Sequence, residues 1–290
     1  MSPRRRPGPS VRTRVREFGT SGPVDREDRL ATEEPLEVRC AWPSAPARRV
    51  AVTMRTPGHD FELATGFLYA EGVLGGPEDL HRVAYCTDVT LTREQEFNVV
   101  TVDLTRPPRS MPAERYAGAS AATSACGVCG TESIDDVLAL LDARPSRPPG
   151  HATGHPPVDP AVIRTLPDRL REAQSVFDST GGLHAAGLMD ATGVPLVVRE
   201  DIGRHNAVDK VVGARLLAGE PTGVPVLAVS GRIGFEIVQK AVTAGVGVLA
   251  AVGAPSSLAV DLARRAGLCT IGFVGPERFV TYSAPERLGV

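Results

Sequence analysis

Apolar and polar positions alternate with two different periods in the first part of this chain. The segment "RRVAVTMRT" (48–56) places an apolar side chain at every second position, which predicts a β-strand. "HDFELATGFLYAEG" (59–72) carries an apolar stripe at helical spacing, where Asp60 can cap the first turn and a glycine ends the helix. "RVAYCTDVT" (82–90) and "FNVVTVDLT" (97–105) alternate again, so we expect them to pair as a hairpin.

Beyond residue 160 the pattern changes, because short apolar runs typical of buried strands alternate with helical stretches. The apolar runs are "AAGLM", "PLVVRE", "VPVLAVS", "VGVLAAV" and "LCTIGFV". The helical stretches are "AVDKVVGARLLAG", "GFEIVQKAVTAG" and "SLAVDLARRAG". Such regular alternation predicts an α/β domain with a mainly parallel sheet that is covered by helices.

Local composition indicates how the chain is divided. Residues 1–30 are rich in Arg and Pro and are predicted to be a disordered tail. Residues 31–143 are predicted to form a smaller N-terminal α+β domain, which ends with the "CGVCG" loop and the helix of "TESIDDVLALLDA". Residues 144–160 contain too much Pro and Gly for a regular element and predict a linker or mobile loop. The α/β domain is therefore expected to span residues 161–290.

Overall composition excludes several classes of protein. A chain of 290 residues with 42% hydrophobic content can bury a large core. A formal net charge of −2 argues against a general nucleic-acid binder. No run approaches the roughly 20 apolar residues of a membrane span and the N-terminus lacks a secretory signal, so we expect a cytoplasmic protein that does not bind membranes. Five cysteines in a long chain predict reduced thiols rather than a disulfide framework.

Three strand-to-helix junctions share a chemical bias: "REDIGRHNAVDK" (199–210), "SGRIGFEIVQK" (230–240) and "GAPSSLAVD" (253–261). Each joins the carboxyl end of a predicted strand to the start of a helix, where free amides and the helix dipole favour an anion. The side chains expected to line this edge are Arg204, His205, Asn206, Ser230, Arg232, Ser256 and Ser257. Alternatively, the serines and the asparagine are only helix caps and the arginines are solvated. The three junctions together favour a phosphate-bearing, nucleotide-like ligand.

Two further features could contribute to such a site. The only two lysines of the chain, Lys210 and Lys240, lie on the helices that leave these junctions, so an ammonium group could approach a phosphate. "DSTGGLHAAG" (178–187) is a turn of small residues whose glycines allow close approach of a ligand. His184 in this turn is either a ligand contact or a hydrogen-bonded structural group.

"SACGVCGTES" (124–133) contains a pair of cysteines, Cys126 and Cys129, with no second pair that could complete a four-ligand zinc site. A deaminase-type zinc site needs a His-x-Glu segment, which the sequence lacks. A thioredoxin-like redox pair would follow an early strand rather than lie in mid-chain. The remaining interpretation is a nucleophilic thiol just before a helix, which favours the thiolate and allows sulfur to be accepted and passed on.

These residues resemble the FdhD family of formate dehydrogenase accessory sulfurtransferases. The resemblance runs from about residue 31 to the C-terminus and covers nearly everything except the tail. The segments that carry it are "EEPLEVR", "VAVTMRTPGHDFELATGFLYAEG", "CGVCG", "TGGLHAAGL", "REDIGRHNAVDKVVG", "SGRIGFEIVQKA" and "AAVGAPSSLAVDLARRAGL".

The resemblance implies a cytosolic homodimer whose larger domain has a cytidine-deaminase-like fold without that enzyme's zinc chemistry. It implies a sulfurtransferase that takes persulfide sulfur from a cysteine desulfurase on Cys126, with Cys129 assisting. The sulfur is delivered to molybdenum bound by two molybdopterin guanine dinucleotide moieties, for use by formate dehydrogenase; no structural metal is implied. The residues expected to contact this cofactor are Thr180, Gly181, Gly182, His184, Arg204, His205, Asn206, Lys210, Ser230, Arg232, Phe273, Val274, Gly275, Pro276, Glu277 and Arg278.

The chain departs from the family pattern at three places. Thr131 replaces a common Lys after "CGVCG", Gly234 replaces a common Ser, and "FVGPERF" lacks an Arg near its middle. Two other functions stay open on the residues alone: a non-catalytic chaperone that binds the molybdenum cofactor and inserts it into apo-formate dehydrogenase, and a metal-binding protein.

Overall fold

The computed structural model describes residues 6–88, 91–92, 95–108, 111, 134–142 and 154–289. The strands are β1 (Ser10–Gly19), β2 (Gly22–Ala31), β3 (Glu34–Trp42), β4 (Ala45–Arg55), β5 (Leu80–Tyr85), β6 (Val99–Leu104), β7 (His184–Met189), β8 (Pro195–Asp201), β9 (Val226–Val229), β10 (Val248–Ala251), β11 (Cys269–Gly272) and β12 (Val280–Ser283). The helices are α1 (Asp60–Ala70), α2 (Ile134–Asp142), α3 (Pro160–Glu172), α4 (Ser175–Thr180), α5 (Arg204–Leu217), α6 (Phe235–Ala244) and α7 (Ser257–Ala266). None of these helices is long and apolar enough to cross a membrane.

The N-terminal segment is an antiparallel hairpin of β1 and β2, so the prediction of a disordered tail over residues 1–30 is wrong from residue 10 onward. Charges of opposite sign face each other across the ribbon, with Arg16 Nε 2.7 Å from Asp25 Oδ1 and Arg26 paired with Glu17. Cross-strand pairs of this kind stabilise a ribbon, although the same composition suggests disorder. The predicted linker lies outside the described residues as far as position 153, and the domain boundaries stay predictions.

A four-stranded sheet in the order β4-β3-β6-β5 forms the first packed layer. β5 and β6 pair antiparallel, which confirms the predicted hairpin. The predicted capping role of Asp60 is wrong, because its carboxylate binds the buried Arg55 guanidinium at 3.0 and 3.1 Å and also accepts a hydrogen bond from Tyr85. Arg55 is a buried charge that needs a partner, and Asp60 supplies it.

The second sheet has six strands in the order β12-β11-β10-β9-β7-β8. It confirms the α/β class but not a mainly parallel sheet, since only the pairs β9–β10 and β10–β11 are parallel. β7 and β8 form a hairpin because Asp190 Oδ1 accepts hydrogen bonds from the amides of Thr192 and Val194 in the connecting turn. A connection this short can join only antiparallel strands.

The two sheets are held together by α1 and α5, which cross at two glycines. A Cβ added to Gly66 would lie 1.9 Å from the carbonyl oxygen of Asp209, and one added to Gly213 would lie 1.8 Å from that of Glu62. Only glycine allows two helix backbones to approach this closely. One hydrophobic core cluster consequently includes side chains from both helices.

An ion pair beside this crossing also joins the two parts. Arg199 on β8 donates two hydrogen bonds to the Glu62 carboxylate on α1, from Nε at 2.5 Å and from Nη2 at 2.7 Å. Burial alone would raise the pKa of Glu62, but the hydrogen bonds from Arg199 and His59 lower the pKa to about 2. The pair therefore stays charged at neutral pH.

Candidate functional site

The strand ends at which a ligand was predicted lie together at one edge of the six-stranded sheet, and this edge includes the start of β7. His184 pairs with Asp201 at the end of β8, and Ser230 N, just after β9, donates to Ala185 O. One edge of the sheet therefore contains the start of β7 together with the carboxyl ends of β8, β9, β10 and β11. This edge carries a cavity of about 120 Å³ that is lined by four of the predicted residues: His184, Arg204, His205 and Asn206.

Two of the three helices that start at this edge have no side-chain cap. α5 follows Gly203 and α6 follows Gly234, and neither glycine can cap the first-turn amides. α7 is capped by Ser256, whose Oγ accepts a hydrogen bond from Ala259 N at 3.3 Å. Ser256 therefore has the capping role that was the alternative to a ligand contact. The first-turn amides of α5 and α6 have no such cap, so these two helix starts favour an anion, as expected.

Arg204 is the strongest candidate for an anion contact. Its Nε is buried and has no hydrogen-bond partner within the part of the chain that the structure describes. A buried guanidinium N–H without a partner is costly unless a ligand accepts its hydrogen bond. The side chain lines the cavity, so an anionic oxygen there would satisfy it.

The two histidines of the cavity have different surroundings. Burial lowers the pKa of His184, and the nearby Arg204 and His205 lower it further, so this ring is neutral at neutral pH. His205 Nε2 lies 2.9 Å from Glu236 Oε2, which is ion-pair distance, although the two groups are not aligned as a hydrogen bond. The cavity thus holds one neutral imidazole and one that is paired with a carboxylate.

Two predicted ligand contacts have structural roles. Asn206 is buried and its amide nitrogen donates to Met54 O at 2.7 Å and to Asp201 Oδ1 at 2.9 Å, so it ties β4 to β8. Lys210 is 1% exposed and its ammonium group lies 2.6 Å from Asp201 Oδ2, with further bonds to the carbonyls of Thr56 and Glu200. The prediction that Lys210 approaches a phosphate is wrong, because all three of its donors are occupied.

The second lysine is buried in the same manner. Lys240 donates to both oxygens of Asp209, at 2.8 and 2.9 Å, and lies over the ring of Phe67. A buried ammonium requires such a partner. The placement of both lysines on these helices thus reflects buried ion pairs rather than a ligand.

Replacing Lys210 with methionine is expected to destabilise the protein by about 3–5 kcal/mol, because it leaves the buried Asp201 carboxylate without its counter-charge. Chemical denaturation of the two proteins measures the difference. Arg232→Met is the matched control, since it removes an equal charge from an exposed side chain at the same edge. An equal, small effect of both substitutions would contradict the structural role of Lys210.

The remaining predicted residues lie at or near this edge but outside the cavity. Ser230 Oγ accepts a hydrogen bond from Ala185 N, and Arg232 is exposed. Thr180 donates to Val176 O in the last turn of α4, and Gly181 ends that helix with a φ of 66°. Gly182 connects this helix end to Leu183 and β7. None of these residues contributes to the lining of the cavity.

The loop after β11 carries the last predicted group, from Phe273 to Arg278. Phe273 has a left-handed φ of 54°, is exposed, and donates its amide to Gly253 O at 3.3 Å. Val274 is buried, and Gly275 N donates to Arg278 O across a turn of exposed residues, Pro276, Glu277 and Arg278. The loop thus adjoins the loop of Gly253, which in turn packs against Arg232.

Sequence reasoning missed several residues of the cavity. Glu33 immediately precedes β3, Thr53 and Met54 lie on β4, and Ile202 and Gly203 precede α5. Glu236 was also missed as a partner of His205. No signal could identify Thr53 and Met54, because they reach the cavity only through the packing of the two sheets, and Glu236 looks like any acid in the first turn of a helix.

The predicted nucleophile Cys126 and its neighbour Cys129 lie outside the described residues, as do Thr131 and Ser133. Of the thiols that are described, Cys40 and Cys269 are buried, and burial raises the pKa of each to about 12. Thiols of this kind are inert at neutral pH. In the described part of the chain no three His, Cys, Asp or Glu side chains cluster as metal ligands would.

A sequence profile of the FdhD/NarQ family matches residues 31–289. The sulfur carrier protein FdhD of Mycolicibacterium paratuberculosis is 44% identical over 283 residues, which cover 96% of this chain and 98% of that protein. The protein of the same name from Nocardia farcinica is 46% identical over 280 residues, which cover 96% and 95%.

Among solved structures, the chain is similar to a crystal structure from Desulfotalea psychrophila that is named for a formate dehydrogenase accessory protein. The two have a TM-score of 0.71 at 22% identity over 97% of this chain and 99% of the other, a likeness of fold. The profile match extends over nearly the whole chain, and the relatives align over almost their full length. The chain therefore belongs to the FdhD/NarQ family.

Proposed function

We propose that this protein is a sulfur carrier, a sulfurtransferase that takes persulfide sulfur from a cysteine desulfurase and delivers it to the molybdenum cofactor of formate dehydrogenase. The observation that carries the proposal is the alignment, over almost the full length of both chains, with relatives named sulfur carrier protein FdhD. The sequence "CGVCG" supplies the thiols that this chemistry needs, at Cys126 and Cys129.

Uptake of sulfur is an exchange between a thiolate and a persulfide. The Cys126 thiolate attacks the outer sulfur of the desulfurase persulfide, the sulfur–sulfur bond of the donor breaks, and the donor cysteine leaves as a thiolate. No net oxidation occurs, and Cys126 then carries the persulfide. The desulfurase and the catalytic subunit of formate dehydrogenase are thus the proposed protein partners, in the cytoplasm.

Delivery requires two electrons, because the sulfur arrives as sulfane sulfur and is bound to molybdenum as sulfide. The Cys129 thiolate can supply them by attacking the inner sulfur of the Cys126 persulfide, which forms a disulfide and releases hydrosulfide. The hydrosulfide replaces an oxo ligand of the cofactor, and the oxygen leaves as water with the proton of the hydrosulfide and one from solvent. A dithiol reductant of the cytoplasm then reduces the disulfide.

The described residues fit a phosphate-bearing cofactor as the bound substrate. The unpartnered Nε of Arg204 and the uncapped starts of α5 and α6 favour an anion at the cavity. The cavity of about 120 Å³ is small for a whole dinucleotide, so we propose that it holds one phosphate or nucleoside group and that the exposed loop from Phe273 to Arg278 contacts the rest.

Two finer features implied by the family complete the proposal. We assign the six-stranded sheet to a cytidine-deaminase-like arrangement, because the antiparallel hairpin of β7 and β8 leads into the consecutive parallel strands β9, β10 and β11. We also propose that the protein works as a homodimer, which sedimentation at micromolar concentration tests.

The proposal is tested in bacteria that have an intact formate dehydrogenase gene but lack their own carrier. Expression of this chain is expected to restore formate dehydrogenase activity, and a vector without the gene serves as the control. Cofactor inserted without its sulfido ligand, seen as molybdenum in an inactive enzyme, would favour the alternative function of a non-catalytic cofactor chaperone.

Replacement of Arg204 by alanine is expected to weaken the binding of guanosine diphosphate, a fragment of the proposed cofactor, by about tenfold, because a charge-assisted hydrogen bond is lost. Isothermal titration calorimetry measures the affinity, and Arg12→Ala, on the exposed face of β1, is the matched control. Sulfur loading of Cys126 is expected to be unchanged. Equal affinities of the wild type and Arg204→Ala would contradict this role.

A further inference from the structure

An acid at the edge of the cavity has no part in the sulfur chemistry proposed above. Glu236 lies in the first turn of α6, and its Oε2 is 2.9 Å from Nε2 of His205 in α5. The His205 side chain is 11% exposed and that of Glu236 is 30% exposed. The contact therefore connects the starts of two helices at the position where a ligand would meet them.

Two features of the surroundings attract a carboxylate to this place. The uncapped N-terminus of α6 presents the positive end of its dipole to a first-turn carboxylate. The Arg204 guanidinium is also near, because both side chains approach the same point beside Gly234. A Cβ built on Gly234 would lie 3.6 Å from Glu236 Oε2 and 4.0 Å from Arg204 Nη2. Glycine at position 234 consequently leaves room for the carboxylate beside the Arg204 side chain.

A carboxylate in this position determines what the imidazole can offer to a ligand. The Glu236 oxygen lies 2.9 Å from Nε2 and carries negative charge, so it electrostatically favours the His205 tautomer with its hydrogen on Nε2, although the two groups are not aligned as a hydrogen bond. The other ring nitrogen, Nδ1, is then left for a different partner. Without the carboxylate, the ring can rotate and exchange tautomers, and its orientation toward the cavity is lost.

We propose that Glu236 is a positioning residue, which holds the ring and the tautomer of His205 so that His205 and Arg204 together bind a phosphate-bearing ligand. The inference deepens the proposed function, because it concerns the same cavity. Glu236 itself does not touch the ligand and acts only through its neighbour.

A double-mutant cycle with guanosine diphosphate as the probe tests the proposal on the full chain. Glu236→Ala and His205→Ala are each expected to weaken binding by about tenfold, and the double variant is expected to be no weaker than His205→Ala alone. Glu236→Gln keeps a side chain of the same shape with a partly negative oxygen beside Nε2, so it is expected to recover most of the affinity. Glu172→Ala, on the exposed end of α3, is the matched control and should bind like the wild type.

Nitrogen NMR of the imidazole rings gives a second readout that a merely structural role would not change. The His205 signals are assigned by their absence in His205→Ala. The wild type and Glu236→Gln are expected to show the form with hydrogen on Nε2, and Glu236→Ala a mixture of tautomers.

Four results would overturn the inference. Additive losses in the cycle, or an unchanged tautomer in Glu236→Ala, would show that Glu236 does not act through His205. If the wild type binds guanosine diphosphate and every Glu236 variant binds it equally well, Glu236 has no positioning role, but the proposed cofactor site stays in place. Absence of binding by the wild type would remove both the inference and the cofactor site, whereas the sulfur chemistry of Cys126 would still be tested separately.

Discussion

Replacement of Cys126 by alanine is expected to reduce formate dehydrogenase activity to the level of the empty vector in cells that depend on this carrier. The reason is chemical, because alanine has no sulfur on which a persulfide can form, and the buried thiols of Cys40 and Cys269 cannot take over. The affinity for guanosine diphosphate is expected to stay within about twofold of the wild type, since the two roles are separate. Enzyme activity in extracts and calorimetry measure the two effects.

Cys86→Ala is the matched control for this experiment, because Cys86 is a half-buried thiol in the described part of the chain. This variant is expected to support full activity. Activity that survives in Cys126→Ala would contradict the carrier account and would favour a chaperone that needs no reactive thiol.

Replacement of Gly213 by alanine is expected to destabilise the protein by about 3 kcal/mol or more, the opposite of what helix propensity predicts. An alanine in a helix is usually about 1 kcal/mol better than glycine. Here the new Cβ would lie 1.8 Å from the carbonyl oxygen of Glu62, a backbone atom that cannot rotate away. α1 and α5 would have to separate, and the core that they share would open. Urea denaturation followed by circular dichroism measures the loss.

Gly8→Ala is the control for this substitution, because an added Cβ there meets no atom within 4 Å. Its free energy of unfolding is expected to stay within about 0.5 kcal/mol of the wild type. A stable Gly213→Ala protein would show that the two helices do not cross as closely as described. The described packing of one sheet against the other would then also be wrong.

Local patterns were sufficient to predict most elements. The helices α1, α5, α6 and α7 are found where apolar stripes and end signals place them, because that information lies within one turn of each residue. The direction of the strands was not predictable in the same way. Whether β7 and β8 run antiparallel depends on the turn at Asp190, and the apolar runs of buried parallel and antiparallel strands look alike.

The site shows the same division between local and long-range information. Arg204 and His205 were expected at this edge because they lie where a strand end leads into a helix start, and both line the cavity there. Lys210 was wrongly predicted to contact a phosphate. Its buried partner Asp201 lies nine positions earlier on a different element, so the pattern of the helix alone did not reveal the ion pair. The contribution of Met54 depends on the packing of the first sheet on the second, which no pattern within either sheet reveals.

The central claim, that Cys126 carries sulfur, is tested most directly by intact-mass spectrometry after incubation with a cysteine desulfurase and free cysteine. The wild type and Cys129→Ala are expected to gain the mass of one or more sulfur atoms, which a reductant removes, and Cys126→Ala is expected to gain none. A wild-type protein that gains no sulfur from an active desulfurase, or a Cys126→Ala variant that gains as much as the wild type, would contradict the account.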